Sequence, residues 1–280
     1  MCVNIITEQN ITDFRNYLRE SEKASLTIEK YVHAIRELML FLEGTPLSKT
    51  VLLNFREHLQ KNNKAKTVNT KISAINAYLN YVDLSEIKIK FLKIQRSVFI
   101  EEERNLSEVE YRRLLDAAKS KKNSRLYYVM LTICGSGIRV SELRFITAEA
   151  VENGKAEIRL KGKTRTVILQ KDLCRKLKRY IKEAGIVSGP VFCTSSGRPL
   201  DRSNIYHDMK KLCEAAKVNP KKVFPHNLRH LFAKSYYAIE KNLAHLADIL
   251  GHSSVETTRI YVAKDIQEHE RTLMRMRLVI

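Results

Sequence analysis

Apolar residues recur at intervals of three and four from Ile11 to about Leu84. Ile28, Tyr31, Val32, Ile35, Leu38, Met39 and Leu42 line one face of a helix. Gly44, Thr45 and Pro46 stop that helix, and Ser48 opens another that holds Leu52, Phe55 and Leu59. Thr67 is placed to cap a fourth, which holds Val68, Ile72, Ile75, Leu79 and Val82. A bundle of about four helices is predicted. The polar face of the last one carries Lys66, Asn69, Thr70, Lys71, Ser73 and Asn76, cations mixed with short hydrogen-bonding side chains of the kind that contact phosphates. A plain solvated face is an equal reading of the same residues.

Between residues 85 and 104 the period lapses into the basic run IKIKFLKIQRSVFI followed by EEER, which reads as an extended linker. The predicted organisation is a first domain over 1–86, a linker over 87–104 and a second domain over 105–280. The second opens with Ser107-x-x-Glu110, a capping box before Val109, Leu114 and Leu115. A further helix is predicted over 126–133. Gly135 and Gly137 then break the chain around Arg139, and Ser141 starts a short helix with Glu142 and Leu143. Residues 156–169 alternate apolar and polar on both sides of Lys161-Gly162-Lys163, a β-hairpin pattern. Helical spacing resumes over 172–184, 203–216, after Pro225 and over 243–250. The fold class is mainly α with one small β-hairpin, α+β.

Composition narrows the partners. Lys plus Arg total 50 against 31 Asp plus Glu, a formal charge of +19, in a chain with globular hydrophobic and charged shares of 44% and 29%. Such an excess points to a polyanion, and nucleic acid is the expected one. No apolar run approaches the ~18 residues of a spanning helix, so no membrane is expected. The five cysteines include no C-x-x-C pair, and MCVNIITEQN lacks the pattern of a secretory signal. A reduced, cytoplasmic protein is expected, without disulfides or a zinc knuckle.

Three strings bear chemistry: SGIRVSELR from Ser136, FPHNLRHLFA from Phe224, and ILGHSSVETTRIY from Ile249. Together with the hairpin lysine and the nine-residue spacing from His252 to Tyr261, the ordered set resembles the tyrosine recombinases, the phage integrase and Xer type. Essentially the whole chain shares the resemblance. The N-terminal bundle looks like the family's SAM-like core-binding domain, and the region from about 105 onward looks like its mixed α/β catalytic domain.

The resemblance implies an active site of Arg139, Lys161, His226, Arg229, His252 and Tyr261, with neither metal nor cofactor. Arginine suits a phosphodiester because its forked, permanently charged guanidinium meets phosphate oxygens two at a time. A tyrosine hydroxyl with a pKa near ~10 needs help losing its proton. His226 is the candidate base or proton carrier, and His252 a phosphate hydrogen-bond donor. The family assigns protonation of the leaving 5′ oxygen to the hairpin lysine. The turn here is one residue shorter than in many relatives; aligning Val167-Ile168-Leu169 with the family's V-P-L favours Lys161, and Lys163 stays open. Glu142 is expected to hold Arg139 by an ion pair, and His230 to brace Arg229 or pack in the core.

The resemblance further implies double-stranded DNA as partner and a homotetramer on DNA. Accessory DNA-bending or directionality proteins are optional partners, and a C-terminal tail from about 265 is expected to dock on a neighbour. A type IB topoisomerase and a DNA-binding-only relative are the alternatives. His-x-x-x-His at 226–230 has the spacing of a zinc helix, but Asn227 stands where metalloprotease chemistry needs a glutamate.

Overall fold

The computed structural model describes residues 5–94, 105–121, 123–160, 162–194, 196–252, 254–259 and 274–275. Lys161, Tyr261, linker residues 95–104 and most of the expected docking tail lie outside the described residues. The chain divides into two compact units, Met1–Arg96 and Ser97–Ile280.

The first unit is a four-helix bundle of α1 (Glu8–Glu20), α2 (Ser25–Leu42), α3 (Lys49–Asn62) and α4 (Ala65–Tyr81). Its core is the apolar stripe of each helix turned inward: Phe14, Ile35, Leu38, Leu52, Phe55, Ile72 and Ile75 are all essentially inaccessible. Truncating any of the aliphatic ones to alanine costs about 2–5 kcal/mol. Ser48 caps α3 as expected, its hydroxyl accepting the Val51 amide. Thr67 does not cap α4. The helix begins two residues earlier, at Ala65, because Ala65 and Lys66 are good helix formers and Lys64 already holds the extended cap conformation.

The polar face of α4 also departs from expectation. Asn69 and Asn76 grip the chain that follows the bundle rather than facing outward. Each amide side chain exchanges two hydrogen bonds with one backbone residue, Asn69 with Leu92 and Asn76 with Ile89, at 2.8–3.1 Å. Lys71 is paired with Glu37 at 2.6 Å, and Ser73 bonds the Tyr31 hydroxyl at 2.9 Å. Ile89 is 2% exposed and completes the bundle core. The stretch after the 3₁₀ turn Ser85–Ile87 is therefore seated on α4 as far as it is described.

The second unit packs α5 (Glu108–Ser120), α6 (Ser124–Ser136), α7 (Ala148–Asn153), α8 (Lys171–Glu183), α9 (Arg202–Lys210), α10 (Cys213–Ala216) and α11 (Pro225–Glu240) around one large core. α12 (Leu243–Leu250) joins α11 through a smaller cluster of Ala233, Leu246 and Leu250. α13 (Val255–Arg259) follows. The Ser107–Glu110 capping box forms with both bonds, 3.2 and 2.8 Å. Ser141 does not start a helix by itself. Val140–Phe145 is a 3₁₀ segment that begins at Arg139, because Glu142 reaches back to the Arg139 amide. The single helix expected over 203–216 is two. The Leu212 amide bonds the Met209 carbonyl three residues back, a tighter turn that keeps Leu212, Cys213 and Ala216 buried.

Among the described residues the one sheet is the antiparallel pair β1 (Lys155–Leu160) and β2 (Lys163–Ile168), with Leu160 opposite Lys163. Ala156, Ile158, Val167 and Leu169 face the core. No described helix is long and apolar enough to cross a membrane.

Candidate active site

α6 ends in a glycine turn that sets up the first arginine. Gly137 has φ +66 and caps α6, and a Cβ on it would lie 2.4 Å from the Phe232 ring of α11. Both the left-handed backbone and the close approach of α11 demand glycine here. Two residues on, Arg139 emerges with its side chain 42% exposed, and one guanidinium nitrogen rests 3.0 Å from Glu142 Oε1. It lines a cleft of about 440 Å³ together with His226, Arg229 and Arg202.

α11 starts at Pro225, whose fixed φ suits the first helical position and which lacks the N–H that would be unsatisfied there. This places His226, Arg229 and His230 on its first two turns. Arg229 turns inward and is the largest fully buried side chain among the described residues, 1% exposed. Its Nη1 donates to the Gly137 carbonyl at 2.7 Å and its Nη2 to the Leu250 carbonyl at 2.8 Å. The guanidinium thus clamps the end of α6 to the end of α12. His230 stacks edge-on against His226, ring centres 4.8 Å apart.

α12 ends at Gly251, φ +63, and the next residue is His252. Its Nε2 lies 2.8 Å from Arg229 Nη2 and its Nδ1 lies 2.8 Å from the buried Thr258 hydroxyl of α13. Arginine can only donate, so Nε2 accepts and Nδ1 carries the ring proton, donating it to Thr258. Arg229 thereby sets the tautomer, and the Thr258 hydroxyl, able to donate or accept, takes the Nδ1 proton. His252, expected from sequence to hydrogen-bond phosphate, here accepts from Arg229 at Nε2.

The electrostatics follow from packing imidazoles among guanidiniums. Partial burial first, then Arg229, Arg202 and Arg139, pull the proton affinity of His226 below the ordinary value. Burial, then Arg229, Arg139, Arg165 and His226, bring His252 to about 4. Burial, then His226 and Arg229, take His230 to about 4 as well. All three rings are thereby favoured in the neutral form near pH 7.

Glu142 holds Arg139, as expected from sequence, and holds more. It is 2% exposed and shares its carboxylate between Arg139 and Arg165 of β2, the latter at 2.8 Å. Arg165 and Thr258 were not singled out from sequence. The alternation of β2 carried a signal for Arg165, since Val167 and Leu169 face inward and Arg165 shares their parity. An arginine on an inward face has to find a carboxylate. Thr258 left no comparable mark. Among the described residues no three His, Cys, Asp or Glu side chains gather as a metal site.

The cleft thus unites Arg139, His226 and Arg229 from separated strings, with His252 bonded to Arg229 behind it, while Lys161 and Tyr261 belong to the sequence motifs alone. Comparison with known proteins bears on the family. The model of the phage integrase family matches residues 104–268, and that of its N-terminal SAM-like domain matches residues 11–83. The chain is 27% identical to tyrosine recombinase XerA of Thermococcus kodakarensis, over 96% of this chain and 95% of that protein. It is 26% identical to the TnP I resolvase of Bacillus thuringiensis, over 89% and 93% respectively. In fold it is similar to XerH site-specific recombinase solved in a pre-cleavage complex with its difH substrate. There the TM-score is 0.71 at 20% identity, over 96% of this chain and 84% of that one. With more than half its length matched by the family's own model, and both of the family's units present in order, the chain belongs to the phage integrase family of tyrosine recombinases.

Proposed function

We propose that this chain is a site-specific recombinase that cleaves and rejoins double-stranded DNA through a 3′-phosphotyrosine at Tyr261, with no metal and no nucleotide cofactor. The observation that carries the reading is the cleft where Arg139 of one string meets His226 and Arg229 of another, with the His226 proton affinity lowered by burial and the arginines. A phosphodiester repels nucleophiles by its charge, and its transition state spreads more charge over the equatorial oxygens. Arg139 offers donors from the cleft wall. Arg229, already turned by two carbonyls and by His252, offers charge from beneath.

His226, neutral at working pH, takes the proton of the Tyr261 hydroxyl as that oxygen bonds to phosphorus. The bond from phosphorus to the 5′ oxygen breaks, and the hairpin lysine, Lys161 in the favoured register, supplies that oxygen's proton. Bond energy is retained in the phosphotyrosine, so rejoining runs the same steps backwards without ATP. The +19 charge supports a duplex as substrate. The names of the relatives, tyrosine recombinases and a resolvase, support site-specific exchange; the reading adds four copies on paired sites and accessory proteins where direction must be set.

The test is covalent trapping on a pool of nicked duplexes, followed by sequencing of the DNA that stays attached. Wild-type protein is expected to form an adduct that survives denaturant, and Tyr261→Phe to form none while binding DNA nearly as well. An adduct with Tyr261→Phe overturns the assignment. Relaxation of supercoiled plasmids regardless of sequence would indicate topoisomerase activity instead.

A further inference from the structure

Arg165 lies outside the six residues assigned to the chemistry, yet it touches two of the segments that hold them. Its side chain is 16% exposed and its guanidinium has two anchors. Nη2 meets Glu142 Oε2 at 2.8 Å, and Nη1 donates to the Ile249 carbonyl at 2.7 Å, three residues before His252. Its side chain also runs so close to the turn after α12 that a Cβ on Gly251 would fall 2.3 Å from Arg165 Cδ. One side chain thus ties β2, the Arg139 segment and the end of α12 together.

The charge arrangement matters more than the tether. Glu142 is buried, and its two oxygens serve Arg139 and Arg165 separately, Oε1 to Arg139 and Oε2 to Arg165, with Oε2 also accepting the Arg139 amide. Two guanidiniums around one carboxylate leave a net charge of one positive. If Arg165 were absent, the buried carboxylate would keep Arg139 as its one cation. A buried carboxylate satisfies itself with the nearest donors, so Arg139 would close onto Glu142 as a neutral two-point pair. Its donors would then be turned away from the cleft.

We propose that Arg165 is a positioning residue of the cleavage site: by occupying half of Glu142 it keeps the Arg139 guanidinium open and charged toward the scissile phosphate. The inference rests on the proposed recombinase reading and adds to it a residue that acts on cleavage through Glu142 and Arg139.

This makes a distinctive demand on a double-mutant cycle. The probe is a nicked duplex of the sequence recovered by trapping, and the readouts are single-turnover adduct formation and DNA affinity, measured on the full chain. Arg165→Met is expected to slow adduct formation by about 10–100-fold while affinity changes little. Arg165→Lys, which keeps the charge but loses the fork, is expected to fall between. Adding Glu142→Gln to Arg165→Met removes the carboxylate that would capture Arg139, so the double variant is expected to be faster than Arg165→Met alone. A double variant as slow as the product of the two single effects would show that Arg165 only holds the fold together, and would overturn the proposal. So would an Arg165→Met protein that cleaves at the wild-type rate. Tyr261→Phe is run alongside: if it traps DNA like wild type, the recombinase reading itself fails, a result separate from either of these.

Discussion

At the scale of single residues, the two glycines of the catalytic strings have reasons beyond turn formation. Gly251 sits at φ +63 and directly against Arg165, so a methyl group there meets both backbone strain and a side chain that is pinned at two points. The strain alone costs about 1–2 kcal/mol. Displacing Arg165 should release Glu142 onto Arg139 by the route described above. Gly251→Ala is therefore expected to leave a folded protein, with Tm lowered by a few degrees, whose adduct formation falls far more than its stability. Thermal unfolding and trapping, measured on the same preparation, check this. A variant with wild-type trapping would mean that Arg165 yields easily and that the turn tolerates a side chain.

Among secondary-structure elements, α4 shows how a polar face that looks made for a ligand is taken up by the chain's own backbone. Asn69 and Asn76 stand two turns apart and seat Leu92 and Ile89 by paired amide bonds. Removing one such side chain leaves a backbone N–H and C=O, both partly buried, without partners, at about 1–3 kcal/mol for each group. The double variant Asn69→Ala, Asn76→Ala should release this stretch from the bundle. The expected signs are faster hydrogen exchange at the Ile89 and Leu92 amides and a lower unfolding midpoint for the first unit. Exchange rates unchanged from wild type would show that Ile89 burial alone holds the stretch.

For the molecule as a whole, placing neutral imidazoles among arginines ties stability to pH. His230 and His252 titrate near 4 in the folded chain, below the ordinary value of 6.5. Above about 6.5 neither state binds these protons, and the two rings contribute no pH dependence. As pH falls from there toward 4, the unfolded chain takes up protons that the folded one refuses, and stability is lost. The ceiling is about 1.4 kcal/mol per pH unit for each ring, reduced because solvent still reaches both. Glu110, whose carboxyl is held below its usual range although burial opposes this, by the Ser107 amide and Lys222, acts lower down: its contribution is present above 4.5 and is lost as pH falls through its folded value. Urea midpoints should thus decline already between pH 6.5 and 5, before carboxylates protonate. A midpoint flat to pH 5 would contradict the low imidazole values.

How much was legible beforehand follows from what each kind of pattern encodes. Periodicity along the chain determined the bundle, the hairpin and most helix spans, because burying an apolar stripe depends on spacing alone. The strings around Arg139, His226 and His252 marked the candidate site for the same local reason: residue type and spacing suffice to write a motif. Sequence order could not say which faces meet. Arg229 bonds a carbonyl 92 positions away, and Arg165 reaches one 84 positions away, contacts that exist only once α6, α11, α12 and the hairpin are packed together. Tertiary structure therefore decided that Glu142 serves two arginines, that Arg229 sets the His252 tautomer with Thr258 receiving its proton, and that Asn69 and Asn76 hold backbone rather than facing outward. Each depends on a partner that only packing brings within hydrogen-bonding distance, and no period along the chain records that distance.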